Sequence, residues 1–256
     1  MAAASEGRVG IEDHGRVRVV TFDRPDRANA FDAALYRAAA AALAAADRDE
    51  TVGVVVLTGA GRSFTAGTDL AEMANAAEGA AGPPFDVFLD AVVAFGKPLI
   101  AAVNGAGVGL GLTLLAHCDL VLVSENARLR APFTQMGVVP EAAGSYLLPE
   151  RMGFQRAAAA LLTSEWISAA DAVASGLALA RHPAEDLLPA ALELGATIAA
   201  HPPASVRATK ALITAARRDL VAAARRREGA AFAELLQSPA IGAAIRGHLE
   251  DSKGAP

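Results

Sequence analysis

The segment AAVNGAGVGLGLTLLAHCDLVLVS, residues 101–124, limits what this chain can fold into more than any other. An apolar run stops at Asn104, four glycines follow within seven residues (Gly105, Gly107, Gly109 and Gly111), and a second apolar run closes the segment. Residues 100–103 read as a buried strand, 109 or 110 to 117 as a short helix, and 120–123 as the next strand. Glycine has no Cβ, so a turn this rich in it lets backbone N–H groups face a ligand, and a helix opening there adds a partial positive charge. Glycines also allow a helix and a strand to pack closely, which for one glycine is the simpler account. Four of them after an asparagine point instead to a place for an anion or a developing oxyanion.

The same order of strand, glycine-rich loop and helix start occurs upstream. Residues 52–58 are a continuous apolar, β-branched run, the pattern of a strand at the centre of a sheet. GAGRSFTAGTDLAEM follows at 59–73, with Thr68 or Asp69 placed to cap a helix that begins near Leu70 and free N–H groups expected near Ala66. A helix cap is the simpler role for Asp69. Before this, residues 9–12 and 17–22 form a hairpin pattern around Asp13, His14 and Gly15. The loop DRPDRANAF places Arg24 and Arg27 either on phosphates or in solvent, and Asp32 caps an alanine-rich helix to about Asp47. Residues 75–84 read as a small, polar loop and 85–95 as a helix.

Downstream, APFTQMGVVPEAAG at 131–144 is a loop with one carboxylate, Glu141, set between a proline and small residues where it could enter a cleft. A solvated surface charge is the alternative. Helical patterns cover 145–152, 154–162, 168–175 and 186–200, and His201, Pro202 and Pro203 then break the composition. Three further helices follow at about 204–216, 220–237 and 241–249. The chain therefore divides into a core of residues 1–200, in which strands alternate with helices, and an alanine-rich helical region, 201–256, suited to packing or oligomerisation.

Composition narrows the chemistry. With 256 residues, 53% of them hydrophobic, the chain can bury an enzyme-sized core, and a net charge of −5 provides no basic footprint for nucleic acid. The run Arg225, Arg226, Arg227 is expected to be a solvated helix face. One cysteine, Cys118, rules out an intrachain disulfide framework, and the five histidines are scattered, so no metal site is readable. No signal core or membrane-spanning run is evident, which leads to the expectation of a soluble, cytoplasmic protein. The glycines do not fit G-x-G-x-x-G, no Walker lysine follows them, and no G-x-S-x-G elbow occurs. What remains is two glycine-rich turns and one carboxylate. Two backbone donors on one oxygen stabilise a carbonyl that becomes an enolate, and proton abstraction beside it needs one base.

At RPDRANAF, TGAGRSFTAGTDLAEM, AAVNGAGVGLGLTLLAHCDLVLVSENARLRAP, GVVPEAAGSYLLP and SAADAVASGLA, the chain resembles the crotonase, or enoyl-CoA hydratase/isomerase, superfamily. The resemblance implies an α/β fold, a crotonase-like spiral of ββα units with a C-terminal helical trimerisation region. It implies acyl-CoA thioesters as substrates without a separate cofactor, no nucleic acid or membrane partner, and a homotrimer or dimer of trimers. It places oxyanion-hole N–H groups at Ala66 and Leu110. Substrate contacts would come from Arg27, Ala28, Ala30, Thr68, Asp69, Leu70, Gly109, Pro132 and Thr134. Hydratases of the family use two glutamates, and the matching positions hold Thr113 and Phe133, neither of which can act as a base. Glu141 matches the glutamate of the isomerases, so the resemblance implies a Δ3,Δ2-enoyl-CoA isomerase with Glu141 as its catalytic base. A hydratase with a divergent site and a non-catalytic acyl-CoA-binding homologue are the alternatives. The ending HLEDSKGAP departs from the family's F-x-E-K-R-like terminus and removes support for a basic contact from the tail.

Overall fold

The computed structural model describes residues 5–77 and 84–236. Strands β1 (Arg8–His14) and β2 (Val17–Asp23) form the antiparallel hairpin expected around Gly15. Helix α1 (Ala33–Arg48) starts where the Asp32 carboxylate accepts the Leu35 N–H at 2.8 Å. The chain then runs through β3 (Val54–Gly59), β4 (Ser63–Thr65), α2 (Leu70–Ala77) and α3 (Phe85–Ala94). After these come β5 (Leu99–Val103), β6 (Ala106–Val108) and α4 (Leu110–Thr113), which continues as a 3-10 turn over Leu114–Ala116. Next are β7 (Leu120–Ser124), β8 (Arg128–Arg130), α5 (Gly144–Met152), α6 (Phe154–Thr163), β9 (Ile167–Ser168), α7 (Ala169–Ala174) and β10 (Ala180–His182). Helices α8 (Leu187–Ala199), α9 (Pro203–Ala215) and α10 (Arg218–Leu236) complete the described chain.

The logic is a repeated unit. In each of β3-β4, β5-β6 and β7-β8, the longer strand joins one sheet, the short one joins a second, and a helix follows after a loop. The first sheet has the order β1-β2-β3-β5-β7-β10, parallel from β2 onward, and the second has the order β4-β6-β8-β9. The central strands β3, β5 and β7 are apolar except at Thr58 and Ser124 near their C-terminal ends, because both faces are covered. Val55, Leu57, Ala101, Val103, Val121 and Val123 belong to the main core, whereas Val54, Val56, Ile100, Ala102 and Leu122 point the other way onto Leu187 and Ala191 of α8.

Several sequence expectations need correction. Residues 75–77 continue α2 rather than opening a loop, and the rest of that loop falls largely outside the described residues, as does the helix expected at 241–249. The short strands β4 and β6 occupy stretches read as glycine-rich loop, and β8 occupies one to which the sequence pattern assigns no element. The glycine cluster also divides in two. A Cβ at Gly107 would lie 2.9 Å from the Gly111 carbonyl oxygen, and one at Gly111 would lie 2.7 Å from that of Thr65. Gly105 is likewise closed in by the backbone at Arg62. These three serve close packing of the second strands, and Gly109 alone has open space around it, with φ +56°.

The loop before α1 is fixed by two buried polar hubs. Asn29 accepts the Arg24 N–H and donates to the carbonyls of Ala60, Ser63 and Phe64. Arg24, expected either on a phosphate or in solvent, does neither: it is buried and ion-paired to Asp32 at 3.3 Å and Asp69 at 2.6 Å. No described helix is long and apolar enough to cross a membrane.

Candidate functional site

The β4-α2 loop and the β6-α4 turn meet at Gly67. Its φ is +84°, and a Cβ there would stand 2.6 Å from the Val108 carbonyl oxygen and 3.3 Å from the Leu110 nitrogen. Only glycine lets the two turns come this close. Residue 68 bridges Phe31 in a parallel arrangement: the Phe31 N–H donates to the Gly67 carbonyl, and the Asp69 N–H donates to the Phe31 carbonyl. The Thr68 N–H therefore points away from that bridge. Among the described residues, neither it nor the Leu110 N–H has an acceptor. The Ala66 N–H, expected to be an oxyanion donor, is instead consumed by the Ala28 carbonyl at 2.9 Å. The free donor of this loop is two residues further on. Tyr36 steadies it from the core, its buried hydroxyl 2.7 Å from Thr68 Oγ1.

These turns open into a cavity of about 450 Å³. Its walls are mainly apolar, with Met73 from α2, Phe85 and Leu89 from α3, Phe133, Met136 and Val138 from the 131–143 loop, and Phe232 from α10. Glu141 enters it from that loop. Its Oε1 accepts the Thr113 hydroxyl at 2.6 Å, while its Oε2 is sealed from solvent and has no hydrogen-bond partner. The residue as a whole is only half-buried, so it is the carboxyl that is enclosed. Burial pushes this carboxyl up to about 8, against the Thr113 hydrogen bond and with help from the negative charge of Glu228. The group is poised between acid and base near neutral pH.

Stability carries the opposite sign. The folded carboxyl titrates near 8 and an ordinary one near 4.5, so between those values the folded chain holds the extra proton and loses stability as pH rises.

Of the site residues expected from the sequence, Ala66, Thr68, Leu70, Gly109, Leu110, Pro132 and Glu141 line the one cavity. Arg27, Ala28, Ala30, Asp69 and Thr134 do not. Asp69 caps α2 through the Ala71 N–H and pairs with Arg24, and Thr134 hydrogen-bonds to Leu161 and Ser164. Arg27 is exposed. Glu72, which sequence alone leaves as a solvated helix charge, accepts the Ala33 N–H at 3.1 Å and ties α2 to α1.

The largest omission of sequence reasoning is α10, which supplies Arg225, Glu228, Gly229 and Phe232 to the cavity wall. Arg225, expected to be solvated, bridges Asp86 and Asp90 of α3 at 3.0 and 2.7 Å. No local signal marks this helix as part of the site, because its partners lie up to 139 residues away.

The family described as "Enoyl-CoA hydratase/isomerase" matches residues 12–254. The chain is 36% identical over 209 residues to "Enoyl-CoA delta isomerase 2" of Rattus norvegicus, a match covering 79% of this chain and 53% of that protein. It thus aligns with about half the length of that relative. It is 38% identical over 196 residues to "2,3-dehydroadipyl-CoA hydratase" of Escherichia coli, covering 76% of this chain and 77% of the relative. The crystal structure of an enoyl-CoA hydratase/isomerase from Pseudoalteromonas atlantica superposes with a TM-score of 0.89 at 36% identity, over 95% of this chain and 97% of that one.

Proposed function

The chain belongs to the enoyl-CoA hydratase/isomerase family, and within it we propose that it is an isomerase moving a double bond from the 3 to the 2 position of an enoyl-CoA. The observation that carries the proposal is the Glu141 carboxyl, buried in an apolar cavity with one oxygen free of any partner. The thioester oxygen would rest on the N–H groups of Thr68 and Leu110. Glu141 takes a proton from the alpha carbon, and the electron pair left behind delocalises onto that oxygen as a dienolate. The same carboxyl returns the proton to the gamma carbon, and the double bond forms between the alpha and beta carbons. One carboxyl and two backbone donors suffice, and the CoA thioester is substrate rather than cofactor.

Three carboxylates line the cavity, and the other two are committed. Asp86 is exposed and paired with Arg225, and Glu228 accepts three hydrogen bonds. Hydration is the competing reading, favoured by relatives that bear hydratase names. It needs a second group to orient water, and Thr113, the residue at one matching position, already gives its hydroxyl proton to Glu141. Incubation with crotonyl-CoA separates the two. The isomerase leaves it as the conjugated thioester, and formation of 3-hydroxybutyryl-CoA at a rate comparable to isomerisation of a 3-enoyl-CoA would overturn the assignment.

Because the base must be ionised, kcat/KM for isomerisation should rise with pH along a limb centred near 8, where Glu141 loses its proton. A limb at the ordinary carboxylate value would mean that another group, or an exposed one, removes the proton.

A trimer is also part of the proposal. Leu212 and Ile213 on α9, which has no buried residue, and Phe154 and Leu162 on α6 are more than 70% exposed. Apolar surface of this kind is normally covered by another subunit. Light scattering at micromolar concentration is expected to find three chains, or six if two trimers pair, and a monodisperse monomer would contradict it.

A further inference from the structure

The turn that delivers Glu141 is one the backbone resists. Ala142 and Ala143 both have φ +57°, a left-handed conformation that disfavours residues bearing a Cβ. Two successive alanines hold it without local help: Ala143 is the N-cap position of α5 and supplies no side-chain cap. The help arrives from α10. Glu228 Oε2 accepts the Ala143 N–H at 2.7 Å, and Oε1 accepts the Ser145 N–H at 2.8 Å and its hydroxyl at 2.6 Å. On the other side, His117 Nε2 lies 2.6 Å from the Ala142 carbonyl oxygen. That imidazole is fully enclosed and held neutral, so the proton on Nε2 makes it the donor.

We propose that Glu228 is the positioning residue for the base: by capping α5 from a helix 85 residues away in sequence, its carboxylate fixes the left-handed turn that aims Glu141 into the cavity. This rests on the reading of Glu141 as the base. Glu228 does not itself exchange protons with substrate, since both its oxygens are occupied by donors.

The carboxylate also has an electrostatic consequence. Of the titratable and charged groups on the elements packed around Glu141, Glu228 and Arg225 of α10 and Asp86 of α3 line the cavity, and Tyr36 of α1 and His117 after α4 are enclosed beside it. Arg151, Arg217 and Arg227 act on His117 or Glu228 rather than on Glu141. Arg225 and Asp86 pair with each other, and Tyr36 and His117 stay neutral. Glu228 is the charge that acts on Glu141, and it adds to the upward shift that burial causes.

Glu228→Gln keeps one acceptor but turns an NH2 toward the Ala143 N–H. At a temperature where the variant is fully folded by circular dichroism, kcat is expected to fall about 10- to 100-fold with little change in KM, the cost of a misplaced base. The acid limb of its pH profile is expected to move to lower pH. A role in stability alone would leave both unchanged. Should Glu228→Gln fail to fold, Ser145→Ala, which removes one of the three donors, decides instead: roughly a 2- to 10-fold loss of kcat supports the proposal, and an unchanged kcat overturns it. Retained activity in Glu141→Gln would sink the base reading itself. An inactive Glu141→Gln beside a folded Glu228→Gln with parental kcat and pH limb would sink only the positioning role.

Discussion

Glu141→Gln should bind a 3-enoyl-CoA about as well as the parent chain and lose isomerisation, with kcat down about 10²- to 10⁴-fold and KM nearly unmoved. The amide keeps the volume of the side chain and an oxygen for the Thr113 hydroxyl, so the cavity and its walls are preserved. What it removes is the capacity to accept and return a proton. An oxyanion hole can stabilise a dienolate but cannot relocate its proton, so the step stops even though substrate is held. The same variant should lose the decline in stability between about pH 4.5 and 8, because its side chain does not titrate. Glu72→Gln is the control: its amide oxygen can still accept the Ala33 N–H, and steady-state kinetics should be close to parental. Activity retained without the Glu141 carboxylate would remove it from the chemistry.

Gly67→Ala is expected to be nearly as damaging, without touching a side chain that does chemistry. The methyl group would lie 2.6 Å from the Val108 carbonyl oxygen, on a backbone whose φ of +84° already disfavours a Cβ. Relief can come only by moving the β4-α2 loop away from the β6-α4 turn. That separates the Thr68 and Leu110 N–H groups, the two proposed donors. Loss of one oxyanion donor costs about 10²- to 10³-fold in kcat, and this variant should lose an amount in that range while remaining folded. Kinetics of the folded variant provide the check, and a kcat within threefold of parental, about 0.6 kcal/mol, would mean that the junction of the two turns is not where charge develops.

Much of this architecture is legible in the sequence because both faces of the long strands are covered. Runs such as Val54 to Leu57 and Leu99 to Val103 have no polar position to obscure them, and the crotonase-like spiral expected from the ordered motifs is the fold the chain adopts. The strands β4, β6 and β8 were not legible, since three residues are too few to show a period of two, and β4 and β6 lie among glycines that resemble loop punctuation. Their role as the second strand of each unit emerges only from pairing with residues some 20 to 40 positions away.

The site shows the same division. Glu141 stood out because a proline and small residues flank it, and the Leu110 turn because glycines crowd it. In the first loop the free N–H lies two residues beyond Ala66, at Thr68, because the Ala66 N–H donates to the Ala28 carbonyl, a contact no spacing rule encodes. Glu228 lay hidden for a related reason. On α10 it is one acid among arginines, and only the fold sets it beneath the left-handed alanines that follow Glu141.

The central claim is that one enclosed carboxyl both removes and returns the proton, and the most direct measurement follows that proton. A 3-enoyl-CoA carrying deuterium at the alpha carbon, converted in a single turnover in ordinary water, should give a 2-enoyl-CoA with a substantial share of the deuterium at the gamma carbon. Glu141 Oε2 has no protein partner to hand the deuteron to and no exposed surface from which to lose it. A product whose new gamma hydrogen comes entirely from water would contradict the account, because the proton would then be delivered by a second acid or a solvent-open site.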